Sequence, residues 1–219
     1  MATLLLRLDA PMQAWGTQSH FTHRDTGREP SKSGIVGLLC AALGRPRSEP
    51  VNDLAELRMG VRIDQAGSIR RDYHTAGMGG VYKVSGGVKH SLIPSDRYYL
   101  ADAKFLVGLD GDAALLETLQ TALQSPAWFL FLGRKAFVPA ERIWLRDGLQ
   151  DVDLLTALSR YPWLGRGEAP EQLRIVVDDP NGTIIRSDYP LSFEPRRFLP
   201  RQMSSQYIQT PLSNSEKED

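Results

Sequence analysis

Several common protein features are scarce in this 219-residue chain, and each shortage excludes a class of protein. The single cysteine, Cys40, rules out an internal disulfide, and its apolar neighbours indicate a core residue rather than a nucleophile. No apolar run approaches the roughly 18 residues that a membrane-spanning helix requires. The apolar start at residues 2–6 ends at Arg7 and indicates a strand rather than a signal peptide or an anchor. These features predict a soluble, cytoplasmic protein.

An excess of charge is also missing, because 26 Lys and Arg residues balance 26 Asp and Glu residues. A zero net charge argues against a generic DNA-coating protein, which would be basic throughout, but it permits a local basic face. Such a face is indicated between Arg58 and Lys104, where eight Lys or Arg residues stand against four Asp residues. Within this stretch, no acidic residue occurs between Asp72 and Asp96.

Metal ligands are poorly grouped in the sequence. None of the four histidines has partner cysteines at zinc spacing, and His20 and His23 have only Asp25 nearby as a third ligand. Asp178 and Asp179 are adjacent, and neighbours on a strand point to opposite faces, so a turn explains them better than a Mg²⁺ pair. We therefore expect no metal and no cofactor.

The most informative segment is a pentapeptide, RDYHT at residues 71–75, together with the run that follows it. The run at residues 76–96 is rich in glycine, has no acid before Asp96, and carries Tyr82, Lys83 and Lys89. This composition is poor material for a core. It favours a mobile arm that lies along a polyanion and offers rings to bases.

Periodicity predicts six elements in the first two thirds of the chain: a buried strand at 3–9, a helix at 31–43, half-exposed strands at 58–64 and 98–109, an amphipathic helix at 112–123 and a short strand at 127–132. Ser31 or Ser33 is expected to cap the first helix, and Asp112 the second. The order strand, helix, strand, strand, helix, strand is that of the ferredoxin-like fold of RNA-recognition modules. The glycine-rich run falls between its second and third strands.

The last third of the chain is less regular. A short helix is predicted at 152–159, and strands at 174–177 and 183–186 flank an Asp-Asp-Pro-Asn-Gly turn that predicts a hairpin. The polar tail after Pro211 is expected to fray.

Two further segments suit a phosphate backbone. At residues 30–34 a predicted helix start brings together backbone N–H groups, two hydroxyls and Lys32, although an ordinary helix cap explains the same pattern. At residues 132–135 a glycine and two cations, Arg134 and Lys135, follow an apolar strand, although a solvated turn would look the same.

Taken together, five blocks resemble the Cas5 family, specifically the CasD-type subunit of the type I-E CRISPR Cascade complex in the RAMP superfamily. The blocks lie in the family's order and span nearly the whole chain: RLDAPMQAWG at 7–16, PSKSGIVGLL at 30–39, RDYHT at 71–75, LGR at 132–134 and LPRQ at 199–202. The first and third blocks are the most specific.

This resemblance implies an α+β fold, a modified ferredoxin-like (RRM-like) palm with an inserted β-hairpin thumb and a less regular C-terminal extension. The palm and its extension would comprise residues 1–72 and 98–205, the thumb 73–97, and a flexible tail 206–219. The resemblance also implies a non-catalytic subunit of the Cascade ribonucleoprotein complex in antiviral defence. It would bind and cap the 5′ handle of the CRISPR RNA (crRNA), join the backbone subunits to the large subunit, and meet target DNA through the guide.

The resemblance assigns RNA-binding roles to two sets of residues. RNA contacts are expected from Lys32, Ser33, Arg71, Tyr73, His74, Thr75, Tyr82, Lys83, Lys89, Gly133, Arg134 and Lys135. A second set is expected either to line the RNA cleft or to support the palm: Gln13, Trp15, Arg24, Arg201 and Gln202. His74 is equally compatible with a structural histidine beside Asp72.

Two alternatives stay open at this point. Relatives in other CRISPR subtypes cut precursor RNA without metal, and Tyr73, His74, His20 and Lys32 include suitable groups for such an endoribonuclease. The other alternative is an assembly subunit with mainly protein partners, for which Trp163 and Phe198 are candidate exposed apolar contacts.

Overall fold

The computed structural model describes residues 2–17, 22–83 and 85–211, and the fold is mixed α+β, as predicted, with a large antiparallel sheet. The strands in chain order are β1 (Ala2–Asp9), β2 (Met12–Gln13), β3 (His23–Arg24), β4 (Arg58–Gln65), β5 (Ser68–Ala76), β6 (Val81–Tyr82), β7 (Val88–Lys89), β8 (Ile93–Ala101), β9 (Lys104–Gly111), β10 (Trp144–Gln150), β11 (Gln172–Asp178), β12 (Ile184–Phe193) and β13 (Arg196–Gln209). The helices are α1 (Lys32–Leu43), α2 (Asn52–Ala55), α3 (Ala113–Gln124) and α4 (Leu154–Arg160).

Seven strands form the main sheet in the order β10-β1-β9-β4-β11-β13-β12, and all six neighbouring pairs are antiparallel. Alternate residues of β1 point to opposite faces, so Leu4 and Leu6 join the larger core, to which α1 and α3 contribute. Leu5 joins a second core on the other face, with Leu154 and Leu158 of α4. Both faces of the central strands are therefore covered by helices.

The helix starts follow the predicted capping logic. The backbone N–H of Gly34 donates to Ser31 Oγ at 3.2 Å, which makes Ser31 the N-cap of α1. Asp112 caps α3 through the N–H of Leu115, and Asp153 caps α4 through the N–H of Thr156. These three helices match the predicted ones to within two residues at each end.

Three strand predictions are wrong. The strand at 58–64 is buried on both faces rather than half exposed, and its Arg62 forms a fully buried ion pair with Asp64 at 2.6 Å. The strand at 98–109 is two strands in different sheets, because Asp102 turns the chain between β8 and β9 with a φ of 57°. Residues 127–132 form no strand, and β10 occupies the sheet edge instead.

The predicted hairpin between residues 174–177 and 183–186 is also wrong. Strands β11 and β12 form near these positions, but β13 lies between them and pairs with both. The turn at Asp179 exists, since its side chain accepts a hydrogen bond from the Asn181 N–H at 2.9 Å. The turn leads into β12, which is separated from β11 in the sheet by β13.

A long hairpin projects between β4 and β9, where the sequence predicts an insertion. Strands β5 and β8 pair in register from Ser68↔Ala101 to Ala76↔Ile93, and β8 is flanked on its other side by β2 and β3. Every residue of β5 is exposed. A second small hairpin of β6 and β7 forms the tip. The predicted thumb boundaries, 73 and 97, fall inside this hairpin.

Within the described ranges, no helix has the length and apolarity needed to cross a membrane. Among the same residues, no group of three or more His, Cys, Asp and Glu side chains is arranged to hold a metal ion. His20 lies outside the described residues.

Candidate nucleic-acid interface

A groove of about 430 Å³ lies where five separate parts of the chain meet. Its walls come from residues 14–17 after β2, from residues 24–25 at the end of β3, from the start of α1, from the turn at residues 133–134, and from β12 with the tip of the β12–β13 hairpin. Five predicted site residues line this groove: Trp15, Arg24, Ser33, Gly133 and Arg134. The fold thus brings together the blocks that lie far apart in the sequence.

The start of α1 contributes two serines to the groove lining, but it does not contribute Lys32. Ser33 is half buried and lines the groove beside Ser31. Lys32 is 5% exposed, with its ammonium 2.8 Å from Asp178 and 5.0 Å from the centre of the Tyr189 ring. Burial lowers the pKa of Lys32, and the charge of Asp178 opposes this shift. The prediction that Lys32 holds a phosphate is therefore corrected, because its ammonium is enclosed and paired.

Arg201 belongs to the same buried network. Its guanidinium contacts Asp188 at 2.8 Å and also pairs with Asp178, while Asp188 accepts the backbone N–H of Lys32 at 2.9 Å. Asp178 additionally accepts the N–H of Met59 at 2.9 Å. The network ties the start of α1 to β4, β11, β12 and β13. This burial and pairing match the structural alternative for Arg201, which is support of the palm.

Two other residues from the second predicted set, Gln13 and Trp15, are buried and have structural roles, whereas Gln202 is exposed. Gln13 is fully buried, and its amide donates to the carbonyls of Leu8 at 3.2 Å and Ala103 at 2.7 Å. Trp15 is 2% exposed and donates its indole N–H to Gln13 at 3.2 Å. Gln202 donates to the carbonyl of Gly182 at 3.4 Å. Only an edge of Trp15 reaches the groove wall.

Gly133 allows a close approach, but the approaching group belongs to the protein itself. Its φ is 94°, and a Cβ at this position would overlap the carbonyl oxygen of Ala14. The expectation that this glycine admits a ligand backbone is corrected accordingly. What the glycine does is fix the turn that presents Arg134 and Lys135, of which Lys135 is exposed.

Arg134 is the central cation of the groove. Its guanidinium donates to the carbonyl of Tyr98 at 2.7 Å and to that of Arg24 at 3.5 Å, so it joins the turn to the root of the β5–β8 hairpin. Burial lowers the pKa of Arg134, the charges of Arg97 and Arg24 lower it further, and the charges of Asp72 and Asp25 oppose this shift. Arg24 and Arg97 are partners in the pairing of β3 with β8, so three arginines lie together here and offer guanidinium donors to an anion.

The pentapeptide lies on the exposed strand β5, with alternating faces. Arg71 and Tyr73 share one face, where Arg71 Nη1 lies 3.8 Å from Asp96 and Tyr73 is 64% exposed. His74 lies on the other face, with Nδ1 3.7 Å from the Asp72 carboxylate. The contact with Asp72 matches the structural alternative for His74, but the ring is still accessible. Thr75 is exposed near the tip.

The tip of this hairpin carries the remaining predicted residues. Tyr82 is 87% exposed, and Lys83 and Lys89 are exposed as well. The Lys83 N–H donates to the Gly87 carbonyl at 3.0 Å, which closes the tip turn. The tip thus presents a ring and two ammonium groups to the surroundings.

Sequence reasoning misses part of this site. Arg97 belongs to the guanidinium cluster, and Phe193, Arg196 and Phe198 form a groove wall that the sequence does not predict as such. The signal is present as an aromatic and basic run, FEPRRF at 193–198, but the predicted hairpin pairs the wrong strands. Phe198 is predicted only as a protein contact, together with Trp163, which is half buried and donates to the Asp64 carbonyl at 3.0 Å.

Comparisons with known proteins agree with this arrangement. The family described as CRISPR-associated protein (Cas_Cas5) matches residues 3–211. The Escherichia coli (strain K12) protein named CRISPR system Cascade subunit CasD is 32% identical over 213 residues, which cover 91% of this chain and 93% of that protein.

Two solved structures have a similar fold over almost the entire chain. One, described as a crystal structure of a Cas protein, has a TM-score of 0.80 at 43% identity and covers 96% of this chain and 98% of its own. The other, a chain of a CRISPR RNA-guided surveillance complex, has a TM-score of 0.84 at 34% identity and covers 95% of this chain and 91% of its own. The chain belongs to the Cas5 family of CRISPR-associated proteins, as its five sequence blocks predict.

Proposed function

We propose that this protein is a non-catalytic, crRNA-binding subunit of a type I-E Cascade surveillance complex, and that it binds and caps the 5′ handle of the crRNA. One observation carries the proposal: Arg134 lines the groove and donates to the carbonyls of Arg24 and Tyr98, next to the paired residues Arg24 and Arg97, at the root of a hairpin whose residues 73–95 include no acid. A related chain comes from an RNA-guided surveillance complex, which supports the same interpretation.

The chemistry of the groove suits a strand of RNA with unpaired bases. Guanidinium groups pair with phosphate oxygens and fix the position of the backbone without reading sequence. The hydroxyl-bearing residues Ser31 and Ser33 line the same groove and add hydrogen-bonding groups to it. A handle of fixed sequence is then read by stacking and by contacts with base edges.

The projecting hairpin would act as the thumb. Its tip presents Tyr82, Lys83 and Lys89, which suit contacts with the backbone of the guide rather than with particular bases. Base pairing would carry the sequence information of the guide, so the protein needs only to hold its backbone. Arg71 and Tyr73 would contact RNA nearer the root of the hairpin.

The ferredoxin-like palm is part of the same proposal. Strands β1, β4, β9 and β10 with helices α1 and α3 follow the β-α-β-β-α-β order, and these strands are neighbours in the order β10-β1-β9-β4. Strands β11 to β13 would be the C-terminal extension. The palm would hold the handle and join the backbone subunits to the large subunit in the cytoplasm, with target DNA contacted through the guide.

Absence of catalysis is the remaining element of the proposal. Of the four groups considered for metal-independent cleavage, the Lys32 ammonium is enclosed and paired with Asp178, and the His74 ring lies beside Asp72. Incubation of the purified chain with repeat RNA in a chelator is expected to leave the RNA intact. Cleavage at one defined position would instead favour the endoribonuclease.

The experiment that tests the binding role is copurification. The chain is expressed with its neighbouring backbone subunits and with a CRISPR array, and the bound RNA is sequenced. We expect one RNA of uniform length whose 5′ end comes from the repeat. The triple variant R24A/R97A/R134A should recover less RNA, while R160A/R166A, with two arginines elsewhere on the molecule, should recover as much as the wild type. Equal recovery in all three would contradict the proposal.

A further inference from the structure

The tip of the β12–β13 hairpin forms a wall of the groove and carries two aromatic rings beside two arginines. Phe193, Arg196 and Phe198 line the groove, whereas Arg197 does not. The two phenylalanine rings meet edge to face, with centroids 6.5 Å apart and an interplanar angle of 63°. The edge-to-face contact holds the Phe198 ring in a defined orientation.

Phe198 remains 40% exposed, although it lines a groove and not a flat surface. An exposed ring in a concave site leaves apolar area available for a planar ligand group. Arg196 is exposed on the same wall. The groove is also lined by Arg24 and Arg134, so a ligand in it would meet three cations and an exposed aromatic ring.

The carboxylates that line the groove are fewer than its arginines. Asp188 accepts two hydrogen bonds from Arg201, at 2.9 and 2.8 Å, and one from the Lys32 N–H. Asp25 accepts from the Thr17 N–H at 3.1 Å and from the Thr17 hydroxyl at 2.5 Å. Asp188 is thus paired with Arg201, and Asp25 offsets part of the charge on Arg134, so the three arginines that line the groove still outnumber its acids and suit the groove to an anion.

We infer that the hairpin tip is a base-stacking platform: Phe198 stacks on one unpaired base of the bound RNA, and Arg196 contacts a phosphate next to that base. This inference rests on the proposed function and adds a binding element that the sequence blocks do not contain. A groove of about 430 Å³ has the size of a small-molecule cleft and suits a single splayed nucleotide rather than a duplex.

Photocrosslinking of the unaltered full-length chain provides the direct test. One nucleotide at a time of the repeat-derived 5′ segment is replaced by 5-iodouridine, and the complex is irradiated. We expect one position to crosslink to Phe198, which trypsin releases in the peptide of residues 198–201. Crosslinks confined to other peptides would overturn the inference.

Affinity measurements with matched variants provide the second test. The variant F198L keeps the apolar bulk and removes the aromatic face, so we expect about tenfold weaker RNA binding, whereas F198Y should bind within about twofold of the wild type. The control F129L removes a ring that is 97% exposed and lies off the groove, and it should bind normally. A pattern in which F198L and F129L bind equally well would overturn the stacking role.

The adjacent residues Arg196 and Arg197 allow a matched comparison of RNA affinity, because only Arg196 lines the groove. R196A should weaken binding about fivefold or more and make its salt dependence shallower, while R197A should bind nearly as the wild type does. Equal effects of R196A and R197A would contradict the phosphate contact.

Failure of the inference is distinguishable from failure of the proposed function. If the wild-type chain binds no repeat RNA, both are overturned. If it binds the RNA while F198L and R196A bind equally tightly and no crosslink reaches residues 198–201, the hairpin inference alone is overturned. The crosslink uses the wild-type protein, so it decides the question even if F198L folds poorly.

Discussion

Cationic side chains occupy two contrasting regions of this molecule. At the tip of the β5–β8 hairpin, Lys83 and Lys89 are exposed in a stretch that has no acidic residue. At the junction of α1 with β11, β12 and β13, Lys32 and Arg201 are buried and paired with carboxylates. The same residue types serve opposite purposes, and what separates them is the presence of acids supplied by distant strands.

The buried region shows why cations in a sequence block are not always ligands for RNA. A buried charge is costly unless it is paired and hydrogen-bonded, and here Asp178 and Asp188 satisfy both cations. The blocks at residues 30–39 and 199–202 meet through this network. Their role is to hold the start of α1 against the C-terminal strands, which in turn shapes one wall of the groove.

Removal of the buried guanidinium should have the largest effect on stability. R201A leaves Asp178 and Asp188 with fewer partners inside the fold, so the free energy of unfolding should fall by about 3–5 kcal/mol. Urea unfolding followed by circular dichroism measures this change. The control R197A removes an exposed arginine from the same strand and should change the free energy by less than about 0.5 kcal/mol. Similar decreases for both variants would remove the contrast between the two regions.

Gly133 lines the groove and packs against the Ala14 carbonyl, and its substitution should have the next largest effect on stability. In G133A the new Cβ would meet the Ala14 carbonyl at a φ of 94°, so we expect stability to fall by about 1–3 kcal/mol and RNA binding to weaken, because Arg134 moves with the turn. The control G167A shares a positive φ, 81°, but has open space around it. It should show only the cost of the backbone conformation. A G133A variant as stable as G167A would argue against the close contact.

Local signals explain which parts of the fold were predictable. Helices α1, α3 and α4 are capped at their N-termini by Ser31, Asp112 and Asp153, and each cap is a property of the adjacent sequence. The partner of a strand is not a local property. The turn at Asp179 predicts a hairpin, yet β13 returns between β11 and β12, because pairing with both strands satisfies its backbone groups.

The candidate site likewise contains residues whose environment follows from the local sequence and residues whose environment depends on distant strands. The exposure of Tyr82, Lys83 and Lys89 follows from the composition of their own segment, which lacks both acids and a core pattern. The pairing of Lys32 depends on Asp178, which is 146 residues away. No local pattern indicates such a partner. Arg196 and Phe198 escape prediction for a related reason, since their position on a groove wall depends on the β12–β13 pairing.

The exposed region should respond to substitution in the opposite manner from the buried one. The double variant K83A/K89A should leave the free energy of unfolding unchanged within about 0.5 kcal/mol. Its RNA affinity should fall, and the slope of log affinity against log salt should become shallower by about 0.7 for each phosphate that a lysine no longer neutralises. Binding titrations at several salt concentrations measure the slope, with R160A/R166A as the control. An unchanged slope would show that these lysines do not touch the RNA backbone.

Lysine acylation should reveal the contrast between the two regions in one experiment, without any substitution. Burial lowers the pKa of Lys32, so a larger fraction of neutral amine would make it react faster if access were equal. Access is not equal, because Lys32 is only 5% exposed and Lys104 only 6% exposed. Both should therefore react more slowly than the exposed lysines Lys83, Lys89 and Lys135. Mass spectrometry after brief treatment with an acetylating ester measures the rates. Bound guide RNA should then slow Lys83 and Lys89 and leave Lys32 unaffected, because only the hairpin lysines would lie along the RNA. Fast modification of Lys32 would contradict its enclosure, and unprotected hairpin lysines would contradict the thumb contact.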